Sequence, residues 1–447
     1  MLRICASLFL LLVVLLRPAH VSAEKISFIR DTEIENTIRA YATPLFEAAG
    51  LDPAAVRIYV VADKQINAFV AGGQNLFINT GLITRSAGAE QIIGVIAHEV
   101  GHIEGGHLAR VNDALKRSTA ESILAFVLGA AAAAAGRPDV GGAVIAGGQG
   151  VAMRNFFQYS RTQEGAADAA AMRYLDATGQ SARGLLEFFN ILGGEELLAP
   201  ERQDPYLRTH PLTRDRIDAL ADFVARSPNS DAAVKPAFQD MHQRMVAKLH
   251  GFLDPPAATD RRYPPQDTSL PARYARSIAA YRSGNTQAAV AGIDALIAEE
   301  PNNPYFRELK GQVLFEAGRA ADALGPYEKA VQLRSDAPLI RVDLARVQLA
   351  LGDPALLDPA VANLRAALAD EPRTPFVWRQ LAIALGRRGD MADSSLALAE
   401  EAMLLNKRPE AKYHAEKALR LLAQGSPGWL KAQDILHTIE QSRQDRG

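Results

Sequence analysis

This 447-residue chain has one cysteine, two tryptophans and almost no surplus of charge. The cysteine, Cys5, lies near the N-terminus, so everything after it lacks a thiol for a disulfide or a cysteine-ligated metal, as suits an oxidising compartment such as a bacterial periplasm. Lys and Arg number 49 against 51 Asp and Glu, and a formal charge of −2 offers no basic surface to a nucleic acid. Long apolar runs are also missing. The first, Ile4 to Leu16, is too short for a comfortable membrane span. Preceded by Arg3 and followed by Val21-Ser22-Ala23, it reads as a secretory signal over residues 1–23. Removing it leaves 47 basic against 51 acidic residues, a charge of −4, and no lipid attachment at Cys5, which precedes the apolar stretch. What the chain does have is 48% hydrophobic residues, ample for packed cores in two or three domains.

The most informative stretch is Gln91 to His107, which contains H-E-x-x-H at His98, Glu99 and His102. Four helical residues advance about 400°, so the two histidines share one face and together can hold a metal ion. Glu99 is turned roughly 100° away, placed to act as general base on a water at the ion's open position. The preceding Ile92, Ile93, Val95 and Ile96 make this a largely buried helix, where unpaired His and Glu would be costly. His107, five residues past His102 and about 180° around the helix from His98, is expected at the surface.

Upstream, residues 31–49 have apolar positions at helical spacing, and residues 56–61 are β-branched and strand-like. Residues 66–83 read as a hairpin turned at Gly72-Gly73, its second strand running toward the metal helix. An edge strand there would hold an extended peptide by backbone hydrogen bonds; equally, the hairpin is only the sheet under the helix. Downstream, Arg161 to Leu175 is a small-residue helix with Glu164 and Asp168 four apart on one face. One acid can complete the metal site and the other can hydrogen-bond a ligand histidine, but spacing does not say which does which.

H-E-V-G-H followed by R-x-x-E-x-x-A-D, with N-A-F and N-T-G-L upstream, resembles the zinc metallopeptidases related to the bacterial beta-barrel assembly-enhancing proteases and to inner-membrane and mitochondrial quality-control proteases. The resemblance covers Ile66 to about Ala219. It implies an α+β zincin-like domain with a small sheet, one Zn2+ per chain held by His98, His102 and Glu164, Glu99 as base, and Asp168 as supporting acid. It also draws attention to Thr209-His210-Pro211-Leu212, where His210 becomes a candidate regulatory or transition-state-facing residue. Residues 118–153 are rich in Gly and Ala, and their fourteen apolar residues in a row give about 21 Å of helix, short of a membrane core. They read as two short helices forming a lid, a tip touching a membrane or partner, or plain small-residue packing.

Residues 251–271 are proline-rich, a linker or an ordered strap. Beyond them Gly284, Gly318 and Gly352 recur every 34 residues and Gly389 follows after 37; Pro304, Pro338 and Pro375 keep the same steps, and Ala289, Ala323 and Ala360 run with them. The three extra residues fall between Gly352 and Pro375, around 354–359. This period resembles tetratricopeptide repeats, with consensus Trp and Tyr positions mostly absent and an irregular last unit around 406–424. About four such hairpins would stack into an α-solenoid with a concave binding surface.

The expected organisation is mainly α: a signal (1–23), a metallopeptidase domain (24–250), a linker (251–271) and a repeat domain (272–447). The resemblance implies misassembled outer-membrane proteins as substrates and the barrel-assembly machinery as partner. A second reading is a chaperone or assembly scaffold in which proteolysis is secondary or held off by His210.

Overall fold

The computed structural model describes residues 27–107, 161–193 and 203–444. The expected signal, 1–23, and the Gly/Ala-rich stretch, 118–153, lie outside the described residues.

Strand β1 (Phe28–Ile29) leads into helix α1 (Thr32–Ala48), whose N-terminus Asp31 caps by accepting from the Ile34 N–H. Its apolar positions Ile34, Ile38, Tyr41, Leu45 and Phe46 are all buried. Strands β2 (Arg57–Val61), β3 (Ala68–Ala71) and β4 (Asn75–Asn79) complete a sheet ordered β1-β2-β4-β3. β3 and β4 form the expected antiparallel hairpin through Gly72 and Gly73, both at positive φ, while β2 runs parallel to β4. Alternation sends Val60, Leu76, Ile78 and Ala68 into the core. On the other face Phe28, Tyr59, Phe77 and Phe69 line up across the sheet, successive ring centroids 5.6, 5.0 and 4.9 Å apart.

The hairpin does not lead straight into the metal helix. A six-residue helix, α2 (Thr80–Arg85), intervenes, created by N-T-G-L gripping the preceding loop. Thr80 Oγ1 and Gly81 N donate to the Asp63 carbonyl at 2.8 and 2.7 Å, and a Cβ on residue 81 would lie 2.2 Å from the Lys64 carbonyl oxygen, so only glycine fits. Helix α3 (Ala89–Glu104) then runs through the core, buried from Gln91 to His102. Around it pack α1, helix α4 (161–177), α5 (Arg183–Gly193) and, further on, α6 (Pro205–Thr209), α7 (Arg214–Arg226) and α8 (Pro236–Leu253). α8 reaches the metal helix directly, where Gln239 Oε1 accepts from the Ala89 N–H at 3.2 Å.

The proline-rich stretch is an ordered strap with its own short helix, α9 (Pro256–Arg262), pinned where Arg276 donates to the carbonyls of Tyr263, Pro264 and Asp267. Ten helices follow as five hairpins, from α10 (Leu270–Arg282) to α19 (Pro427–Gln444). The recurrent residues have the expected places. Gly284, Gly318, Gly352 and Gly389 turn the first four hairpins at positive φ, Pro304, Pro338 and Pro375 open helices, and Ala289, Ala323 and Ala360 are fully buried. The three extra residues form a 3-10 turn, Pro354–Leu356. Among the described residues no helix is long and apolar enough to cross a membrane.

The N-terminal and repeat regions meet at α8. Gly251 faces Ile278 of α10 at a distance that would bring a Cβ within 2.9 Å, and Lys248, 3% exposed, points its ammonium at Asp31 (2.7 Å) and Glu33 (3.2 Å). Tyr274 of α10 donates to Glu33 at 2.8 Å. Burial alone would discharge Lys248, but Asp31 and Glu33 among its neighbours outweigh that and hold it well above the ordinary lysine range. Replacing Lys248 by Met leaves two acids facing each other in a buried place, and denaturant titration of the variant is expected to show a loss of about 3 kcal/mol; a wild-type midpoint would count against the cluster. A second expectation concerns acid. His242, buried on α8 with Nε2 2.8 Å from Ser86 Oγ, is pushed down to about 4 by burial. Between about pH 6.5 and pH 4 the unfolded chain therefore binds a proton that the folded chain refuses, so stability falls as pH drops through that window. Melting curves of wild type and His242→Gln should diverge there, the variant losing less.

Candidate metal centre

α3 and α4 cross backbone to backbone. A Cβ on Gly101 would lie 2.8 Å from the Ala167 carbonyl oxygen and 3.1 Å from Ala170 Cβ, so a glycine on one helix and alanines on the other permit the approach. That contact sets the distance between the histidines of α3 and the acids of α4. His102 Nε2 lies 3.1 Å from His98 Nε2, and the Glu164 carboxylate is 3.4 Å from each of these nitrogens. His210 closes the group, its Nδ1 3.4 Å from His98 Nε2 and 3.3 Å from Glu164. One donor atom from each of His98, His102, Glu164 and His210 thus falls within 4.8 Å of the others, all four residues buried. Two or three imidazoles with one carboxylate make a donor set that suits a divalent metal ion.

Behind these atoms the partners differ. Asp168 Oδ1 lies 2.8 Å from His98 Nδ1, and Arg216 from α7 holds Asp168 through Nε and Nη2 at 2.6 and 2.9 Å while its Nη1 sits 3.1 Å from Glu164. Burial works against charge on Glu164 and Asp168, yet both carboxyls are held below their ordinary values, Glu164 mainly by His210 and His98, Asp168 by Arg216 and His98. Burial likewise opposes a proton on His98, but Asp168 and Glu164 raise it to about 9. Burial and the neighbouring imidazoles push His102 far down. Glu99 is raised by burial, and among the described residues neither of its oxygens has a hydrogen-bond partner; His210 Nε2 is 3.5 Å from Oε1.

All six residues singled out in the sequence, His98, Glu99, His102, Glu164, Asp168 and His210, therefore come together. Spacing left the two acids interchangeable; the fold puts Glu164 against the inward nitrogens and Asp168 behind His98. His107 corrects its expectation. It is buried, 5% exposed, with Nδ1 2.9 Å from His102 Nδ1, because the helix stops at Glu104 and Gly105-Gly106 turn the chain back. Arg216 escaped sequence reasoning altogether, since nothing in R-D-R-I sets it apart from Arg214. Also unforeseen is the anchor of the His210 loop. Asp204 accepts from the Ile66 N–H at 3.1 Å and from Arg85 at 3.0 Å, and the Tyr206 N–H donates to the Ile66 carbonyl, tying this loop to the entrance of β3.

Residues 29–224 match Peptidase family M48, and residues 274–338 match the tetratricopeptide repeat. A beta-barrel assembly-enhancing protease of Yersinia pestis is 24% identical over 397 residues, covering 87% of this chain and 77% of its own. That of Escherichia coli (strain K12) is 24% identical over 382 residues, 80% and 77% of the two chains, and a putative one of Vibrio cholerae is 25% identical over 347, 76% and 70%. Fold, site and these matches together support a metallopeptidase, its N-terminal domain matching Peptidase family M48 and followed by an α-solenoid of tetratricopeptide-like repeats. Within that class the chain resembles the beta-barrel assembly-enhancing proteases. If Asp168 orients His98 toward a metal, Asp168→Asn should weaken metal affinity about ten- to a hundredfold in a chelator competition; unchanged affinity would leave the carboxylate a purely structural group.

Proposed function

We propose that the chain is a zinc-dependent endopeptidase of the periplasm that degrades misassembled outer-membrane proteins and assists their assembly, with the repeat array recruiting substrate or partner. One observation carries the enzymatic part. A convergent donor set, His98, His102 and Glu164, lies beside a buried carboxylate, Glu99, whose two oxygens have no hydrogen-bond partner among the described residues. A fold keeps such a group at a cost, and a reaction that needs a base is the reason to keep it.

When bound, one zinc ion supplies Lewis acidity that polarises a peptide carbonyl and eases deprotonation of water. The chain's own residues do the rest. Glu99 accepts the proton of the attacking water and hands it to the leaving amine as the carbon–nitrogen bond breaks, so each cleavage consumes one water and returns the carboxylate. Asp168 holds Nδ1 of His98 and thereby keeps Nε2 turned inward. β3 ends the sheet on the side of α3 and can pair with an extended peptide through backbone groups, accepting many sequences. His210, inserted among the metal-facing atoms and 3.5 Å from Glu99, fills the side from which water would reach that base, and so holds the site closed at rest. Substrate class and compartment are supported by the names of the relatives and by the absence of thiols after Cys5.

A specific observation also favours the scaffold reading. Between α8 and the inner face of the array lies a cavity of about 530 Å3 bordered by Phe252, Phe315, Phe376, Arg30 and Arg346, remote from Glu99. Such a hollow suits holding a partner without cutting it.

Metal analysis with cleavage of an unfolded outer-membrane protein separates the two. The protease reading expects one zinc per chain, Glu99→Gln keeping the metal while cleavage falls at least about a thousandfold, loss of cleavage on chelation, and faster cleavage by His210→Ala. A wild type that binds no metal, or a Glu99→Gln variant that cuts as well as wild type, would leave only the scaffold.

A further inference from the structure

The two histidines of the H-E-x-x-H motif are backed by different chemistry. Behind His98 stands a carboxylate, Asp168, neutralised in turn by Arg216. Behind His102 stands His107. The turn that brings His107 there is built for it: Gly106 takes φ +60°, and a Cβ on Gly105 would lie 2.3 Å from His107 Nε2 and 2.7 Å from its Cδ2, so the imidazole lies across residue 105 in space that only glycine leaves open. The two rings meet edge to face, centroids 4.9 Å apart and planes at 81°, with Nδ1 to Nδ1 at 2.9 Å.

The direction of that hydrogen bond follows from the site. His102 turns Nε2 toward His98 and Glu164, so in a metal-binding state its proton resides on Nδ1, and His102 is the donor. His107 must then accept at Nδ1 and carry its own proton on Nε2. We propose that His107 is a positioning residue: it fixes the tautomer and ring angle of His102 as a metal ligand, and does so without bringing a further negative charge to the ion. A carboxylate in that place would add charge beside Glu164 and lessen the ion's power to polarise a carbonyl; a neutral imidazole orients the ligand and leaves that power intact. The inference rests on the metal-site reading above and adds to it a residue outside the H-E-x-x-H motif.

The test uses the full chain and reads metal affinity and ligand-field spectrum as well as cleavage. Chelator competition with zinc should show His107→Ala binding about ten- to a hundredfold more weakly. His107→Gln, whose side-chain oxygen still accepts from His102, should recover most of that loss. Gly105→Ala, which keeps the histidine but displaces its ring, should reproduce it, so the inference stays testable even where His107→Ala fails to fold. With cobalt in place of zinc, the visible bands of His107→Ala should shift while those of His107→Gln stay near wild type, and kcat should fall with KM little changed. If His107→Ala and Gly105→Ala bind metal as wild type does and give the wild-type cobalt spectrum, His107 only packs the end of the helix and the inference is lost. A wild type that binds no zinc would overturn the metal reading itself, an outcome distinct from metal binding that is indifferent to residue 107.

Discussion

Everything in the catalytic domain depends on how closely α3 and α4 approach at Gly101. Two imidazoles on one helix can be met by a carboxylate from another only if the backbones nearly touch, because the side chains that must meet are short. Ala167 and Ala170 opposite a glycine provide that contact, and burial follows from it: both helices pass through the apolar core, so every polar atom they carry inward has been taken from water. The charged groups are then obliged to find one another. Glu164 and Asp168 are met by Arg216, and Asp168 by His98 as well; Glu99 has His210 Nε2 3.5 Å from its Oε1. A polar knot this dense survives inside a protein only when almost all its members are satisfied, which makes the exceptions among the described residues, both oxygens of Glu99 and Nε2 of His210, the more telling.

The layers outside the site serve placement. N-T-G-L grips the loop before β3; Asp204 and Arg85 anchor the segment that delivers His210; Gln239 reaches from α8 to the first turn of α3. None of these groups can touch a substrate at the metal-facing atoms, yet each sets the position of an element that does.

What was legible in the sequence followed from periodicity and residue type. The histidines of α3 share a face because 3.6 residues make a turn, and Gly and Pro mark the hairpins because φ is restricted for one and free for the other. Spacing could not separate Glu164 from Asp168, since both lie on the same face and only the crossing with α3 distinguishes them. His107 was misplaced for a definite reason. Its angle was projected along a helix that in fact ends at Glu104, where Gly105-Gly106 turn the chain. Arg216 was invisible because its partners lie 48 and 52 positions away in the sequence. The short helices α2 and α9 left no period to detect. The last unit keeps its turn glycine, Gly425 at positive φ, 36 residues after Gly389; what differs is its entry, where Asn406 takes the left-handed conformation, φ 56°.

Helix α8 gives the molecule a mechanical character. Its first turns brace the metal helix through Gln239 and receive Tyr41 at the Phe238 carbonyl, and its last turns carry Lys248 and Gly251 against the acids of α1 and the first repeat helix. One helix is built into both halves. Force on the solenoid is therefore passed to the floor of the catalytic domain as through a beam, and the hollow of the array keeps a fixed bearing relative to the cutting site. A captured chain would meet that site at a distance set by the architecture, as work meets a blade on a bench rather than one held in the hand.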